Sequence, residues 1–139
     1  MTGPMALYLT GAADQPDTHW IVKVQDEAPD GRLRVLSKGW LRGSHRAVDP
    51  ARSKPYQPWH PHLERVPLVA NEPTEFPIEI WPFSNVFKPG HRLWLEISAC
   101  DSPGFDFSFG HYPYMRVVKN TVFEGGPGGS KLLVPIIPS

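Results

Sequence analysis

The sequence predicts an all-β domain, a jelly roll or β-sandwich of about six to eight short strands, and three observations carry that prediction. The 139 residues include 17 prolines and 12 glycines spread along the whole chain. Proline breaks helix interiors and glycine favours turns, so short strands and irregular loops remain once long helices are excluded. Several segments alternate apolar and polar residues with a period of two, as a strand with one buried face does. No segment carries a helical period over the length of an ordinary helix. Residues 1–139 are expected to form one domain with one core.

In chain order, residues 5–9 (MALYL) read as a strand followed by a loop over 11–17. Residues 19–24 (HWIVKV) are rich in aromatic and β-branched side chains, which suit a pleated, half-buried surface. Pro29, Asp30 and Gly31 form a turn, because Pro presets φ and Gly accepts a positive one. Residues 32–41 return as a third strand, with Leu33 and Val35 facing opposite to Arg32 and Arg34, and the two strands make a hairpin. Residues 43–73 hold six prolines and no period, so they read as a long loop. Tyr56, Trp59 and Leu63 give this loop apolar weight, and it is expected to pack on the body.

Regularity resumes at Glu75. Phe76, Ile78 and Ile80 alternate with Glu75, Pro77 and Glu79, and Pro77 marks an edge strand or a bulge. Lys88, Pro89 and Gly90 turn the chain into residues 91–100, where Leu93, Leu95 and Ile97 alternate with Arg92, Trp94 and Glu96. An aromatic loop over 103–114 follows, and residues 117–123 and 131–137 supply the last strands around EGGPGG.

Lys plus Arg and Asp plus Glu are 14 each, so the formal net charge is zero. Nucleic acid and anionic membrane surfaces both require a basic surplus and are excluded as main partners. Zero net charge also leaves self-association unopposed. No apolar run approaches the ~20 residues of a membrane span. The first residues lack the basic n-region and apolar length of a signal peptide, and a cytoplasmic location is expected. Cys100 is the single cysteine, so no intrachain disulfide forms, and without flanking basic residues it reads as a buried, inert thiol.

No catalytic site is legible. The glycine-flanked serines, Ser44 in RGSH and Ser130 in GGSK, do not make a G-x-S-x-G elbow. His45, His60 and His62 are spaced like β-barrel metal ligands, but Pro61 between the last two spoils their placement on one strand face. No metal and no cofactor are therefore assigned. Trp20, Trp40, Trp81 and Trp94 fall in strands, and further aromatics crowd the 101–114 loop. Rings in such numbers fill a core, serve a protein interface or stack on sugars, and contact with a protein surface is favoured over sugar. Function concentrates on loops, so Asp101, Phe105, Asp106, His111 and Tyr112 are the expected binding or domain-contact residues.

Read in order, LYLTGAADQPDTHWIVKVQDEAPDGR, GWLRGSHR, FPIEIWPFSNVFKPGHRLWLEIS and SKLLVPIIP resemble a known family. They are similar to the C-terminal β-domain of the Xaa-Pro dipeptidyl-peptidase and cocaine esterase (CocE/NonD-type) serine hydrolases. The resemblance rests on Asp17-Thr18, Gly31, Gly39-Trp40-Leu41-Arg42, Trp81-Pro82, Phe87 and Pro89-Gly90-His91-Arg92-Leu93. It implies a galactose-binding-like jelly roll that packs on a separate α/β-hydrolase domain and helps shape its cleft. The family's Ser–Asp–His machinery lies on that other domain, so none of it transfers here. The family's β-domain begins before the segment matching Thr2-Gly3-Pro4, which implies a missing first strand and an edge open to the hydrolase domain or to a second copy. A stand-alone carbohydrate-binding module is the alternative, and a His-metal β-barrel enzyme through His45, His60 and His62 is a third.

Overall fold

The computed structural model describes residues 1–100 and 117–137. Its strands are β1 (Thr2–Ala13), β2 (His19–Glu27), β3 (Leu33–Arg42), β4 (Thr74–Ser84), β5 (Arg92–Ser98), β6 (Asn120–Val122) and β7 (Lys131–Leu133). A single turn of 3-10 helix at Gly43–His45 follows β3. All strand pairings are antiparallel, in one sheet ordered β4-β1-β6 with β7 also on β1, and a second ordered β3-β2-β5. None of the helices among the described residues is long and apolar enough to cross a membrane.

The alternating residues make the core. Met5, Leu7 and Leu9 of β1, Trp20, Val22 and Val24 of β2, and Phe76, Ile78 and Ile80 of β4 are buried in one cluster. Two sheets supply these side chains, so the core is the layer between them. Trp20 and Phe76 meet across it with ring centroids 5.4 Å apart, tilted by 51°. Burial of a side chain such as Phe76 contributes about 2–3 kcal/mol.

β1 is longer than the sequence indicates. Residues 11–13, read as the start of a loop, continue the strand because Gly11, Ala12 and Ala13 pair with β6. Partners on both sides make β1 a central strand. Pro77 sits on β4 at the edge of its sheet, as its missing N–H requires.

The hairpin forms as expected, with one correction. Its register slips between Val24 and Gln25, which face Ser37 and Val35 and leave Leu36 without a direct partner. The bulge reverses the side-chain phase of β3. Leu36 packs on the core, whereas Leu33 and Val35 are each 47% exposed, the reverse of the alternation read from sequence. Strand β5 also buries less than its pattern suggests: Leu95 and Ile97 reach the core, but Leu93 stays exposed at the strand's open end. The last two strands shrink to three residues each, and Val117, Ile136 and Ile137 are exposed beyond them. Cys100 lies past the end of β5 and is exposed, not buried, because among the described residues no strand pairs with it there.

The sheets meet edge to edge where β3 crosses β4. Ser37 Oγ donates to the Trp81 carbonyl at 2.6 Å. Two residues on, a Cβ at Gly39 would stand 2.3 Å from the Glu79 carbonyl oxygen. Only a residue without a side chain fits this approach. Gly39→Ala is expected to lower stability by about 3 kcal/mol through overpacking against backbone that cannot swing away. Urea unfolding checks this, and an unchanged midpoint would show that the seam relaxes freely.

Candidate functional site

The seam between β3 and β4 carries the most concentrated exposed aromatic surface that can be assigned to one place. Trp40 projects from β3 and Trp81 from β4, and their rings meet edge to face at 5.8 Å. Trp81 remains 65% exposed. The two rings form one wall of a cleft of about 520 Å³ whose other wall is the 52–63 loop, with Arg52, Trp59 and Leu63 facing Glu79. This is the size and mixed polarity of a recognition surface.

The loop is held by backbone bonds. Asp49 accepts from the amides of Arg52 and Ser53 through its carbonyl and from Ala51 through its carboxylate, while its own amide donates to the Trp59 carbonyl. The Trp59 amide in turn donates to Ser53 Oγ at 2.9 Å. These bonds bring Arg52 over the Trp59 ring, 4.7 Å from its centroid, a cation–π contact. Further along, Val66 donates to the Ser44 carbonyl and Leu68 to that of Pro16. The loop therefore packs on the body as expected, but through Pro58 and Leu68. Tyr56, Trp59 and Leu63, read as its apolar anchors, stay 42%, 43% and 85% exposed, because the loop turns them away from the sandwich.

The carboxylate of Asp17 ties the loop's start to the sheet. Oδ1 accepts from the amides of Thr18 and Ser44, and Oδ2 accepts from Ser44 Oγ at 2.8 Å and Arg42 Nε at 2.6 Å. Desolvation pushes this carboxyl up, but the hydrogen bonds of Arg42 and Ser44 with the Arg42 charge outweigh it and hold the group below its ordinary value. Ser44 is thus a buried structural donor and not a nucleophile. Ser130 is equally committed, accepting from the Thr10 amide and donating to the Phe123 carbonyl.

The three histidines converge as their spacing suggested. His45 and His62 bring their Nδ1 atoms to 3.3 Å, and His60 lies beside His62 with centroids 5.8 Å apart. Both His60 nitrogens, however, contact carbonyl oxygens, Nδ1 that of Ala47 at 3.0 Å and Nε2 that of Pro77 at 2.8 Å. Both ring nitrogens are thus turned toward backbone carbonyls rather than toward His45 and His62. Among the described residues no group of three His, Cys, Asp or Glu side chains could hold an ion. Burial, and then the charges of His60 and His45, hold His62 below its ordinary value. His60 fastens the loop to β4 through the Pro77 carbonyl. Asp101, Phe105, Asp106, His111 and Tyr112 lie outside the described residues. The Trp40–Trp81 pair was visible in sequence only as two strand tryptophans, since their meeting depends on the seam.

Residues 1–128 match the family profile described as the X-Pro dipeptidyl-peptidase C-terminal non-catalytic domain. Over 146 residues the chain is 27% identical to the cocaine esterase of Rhodococcus sp. (strain MB1 Bresler), covering 99% of this chain and 23% of that protein. A CocE/NonD family hydrolase from Staphylococcus aureus superposes with a TM-score of 0.87 at 25% identity, over 99% of this chain and 28% of that one. An aminopeptidase from the marine sediment archaeon Thaumarchaeota archaeon superposes with a TM-score of 0.57 at 25% identity, over 69% of this chain and 15% of its own. The chain thus spans less than a third of each relative's length.

Because the folded-state pKa of Asp17 is depressed, its stabilisation is fully present above the unfolded value and is lost as pH falls through the folded one. Acid unfolding below about pH 4 is expected to lose a component that Asp17→Asn lacks. At neutral pH the same variant is expected to cost about 2 kcal/mol, from weakened charge-assisted bonds to Arg42. Denaturant titrations across that pH range measure both.

Proposed function

The chain belongs to the X-Pro dipeptidyl-peptidase C-terminal non-catalytic domain family, and from that premise we propose that it serves as the accessory β-sandwich of a serine hydrolase. In this role it packs on an α/β-hydrolase domain of the acyl esterase or Xaa-Pro dipeptidyl-peptidase type and helps shape its cleft. The single observation that carries the proposal is the seam face: Trp81 of β4 and Trp59 and Leu63 of the long loop stand exposed around one cleft. Rings of this kind supply the anchors of protein interfaces, with the polar Arg52 and Glu79 at hand to fix orientation. The commitment of Ser44 and Ser130 to structural bonds supports a non-catalytic role.

A second reading, a carbohydrate-binding module, draws on the same cleft, since exposed tryptophans beside a carboxylate also suit a sugar ring. It requires a saturable change in tryptophan fluorescence with simple sugars.

The pure chain is expected to leave p-nitrophenyl acetate and a Gly-Pro anilide unhydrolysed above the buffer rate, and robust turnover would overturn the accessory role. In a chimera, the chain replaces the matching segment of the Rhodococcus cocaine esterase. Paired Trp59→Ala and Trp81→Ala substitutions are expected to lower that chimera's activity about tenfold or more with unchanged circular dichroism, as loss of interface anchors does. Equal activity of variant and parent would remove the seam from the interface.

A further inference from the structure

A second cleft lies where the β2–β3 turn abuts the loop between β4 and β5, with Gly90 at φ +81° and its Cα facing Pro29. It measures about 510 Å³, within the range of small-molecule sites. At its base Asp26 is 5% exposed, and both carboxylate oxygens are occupied. His91 Nδ1 lies 2.8 Å from Oδ1, while Asn85 Nδ2 at 3.2 Å and Arg34 Nη2 at 3.4 Å donate to Oδ2. Burial pushes this carboxyl up, but the bonds from His91, Asn85 and Arg34 with the His91 charge prevail, and it is held below its ordinary value. Asp26 is therefore an internal anion whose two oxygens are both engaged by neighbouring donors.

The walls carry the opposite sign. Arg32, Arg34 and Lys88 line the cleft, and among the described residues Asp26 is its one carboxylate. A positive charge remains in excess even when Asp30, which accepts from Arg32 Nε at 2.7 Å, is counted. The chain as a whole has zero net charge, so the excess is local. Among the described residues Arg34 engages only its Nη2, shared between Asp26 and Asn85, and its side chain is 67% exposed. Its Nε and Nη1 donors are left for a further acceptor, in the planar fork that suits a carboxylate. Lys88 is exposed and among the described residues holds no ion pair. Leu33 and Val86, 47% and 82% exposed, add an apolar flank.

We propose that this cleft binds an organic carboxylate with an apolar body, the carboxylate on Arg34 and Lys88 and the body against Leu33 and Val86. The site is separate from the seam and stands independently of the accessory role. The carboxylate is either free or borne on a protein side chain, and two probes distinguish these sources.

The 139-residue chain is titrated with 3-phenylpropionate, with its neutral amide, and with N-acetyl-Phe-Glu-amide, followed by amide NMR shifts. Saturable shifts confined to residues 26–34 and 85–91 are expected with the carboxylates and not with the neutral amide. The tighter of the two carboxylates assigns the source. Lys88→Glu, at an exposed position, is expected to weaken binding about tenfold with an unchanged melting temperature. Arg34→Lys keeps the charge but loses the fork, and is expected to weaken it as well. Equal binding of the amide, shifts scattered over the surface, or no effect of Lys88→Glu would overturn the proposal.

Discussion

The close approach of β3 to β4 is the constraint on which the remaining structure depends. These strands belong to different sheets, and they touch because Gly39 presents no side chain to the Glu79 carbonyl. At that distance the edge strands shield one another, and the Ser37 hydroxyl satisfies the outward carbonyl of Trp81. One backbone acceptor of an edge strand is thereby satisfied within the molecule. The same contact sets Trp40 against Trp81 and so creates the exposed aromatic wall.

Around this seam the long loop acts as a strap. Its thirty or so residues, roughly, could not stay on the surface through apolar contact alone, since most of its large side chains are exposed. Polar groups do the fastening. Asp17 binds the strap at its origin, His60 bridges Ala47 to Pro77 in its middle, and Leu68 inserts near its end. Proline lowers the entropy lost on ordering, which explains how a segment with little burial holds a defined shape. Trp59 and Leu63 are left free to face outward, as a domain-contact surface requires.

Charge is organised in the same way. The chain is neutral as a whole, yet two carboxylates, Asp17 and Asp26, are drawn inward and saturated with donors. Each of these carboxylates fixes a turn or a loop, and the cleft above Asp26 keeps one positive charge in excess among the described residues. The fold thus separates an aromatic cleft at the seam from a basic cleft at the hairpin turn, two surfaces of different chemistry on one small scaffold.

The period-two run in β4 marked Phe76, Ile78 and Ile80 as its core face, and the apolar runs 5–9 and 19–24 were legible as strands, because such patterns are written in adjacent residues and need no distant information. The hairpin turn, the edge position of Pro77 and the family resemblance were legible for the same reason: each is carried by a short local motif. Tertiary structure alone decided the rest. It placed the bulge that turned Leu33 and Val35 outward, extended β1 through its pairing with β6, and left Cys100 exposed. It also joined Arg42 to Asp17 and His91 to Asp26, pairs 25 and 65 residues apart. Their meeting depends on register and on how one sheet lies over another, which local sequence does not encode. The absence of a legible catalytic motif was a property of the sequence; where its exposed rings and basic side chains gather was fixed only by the packing of the two sheets.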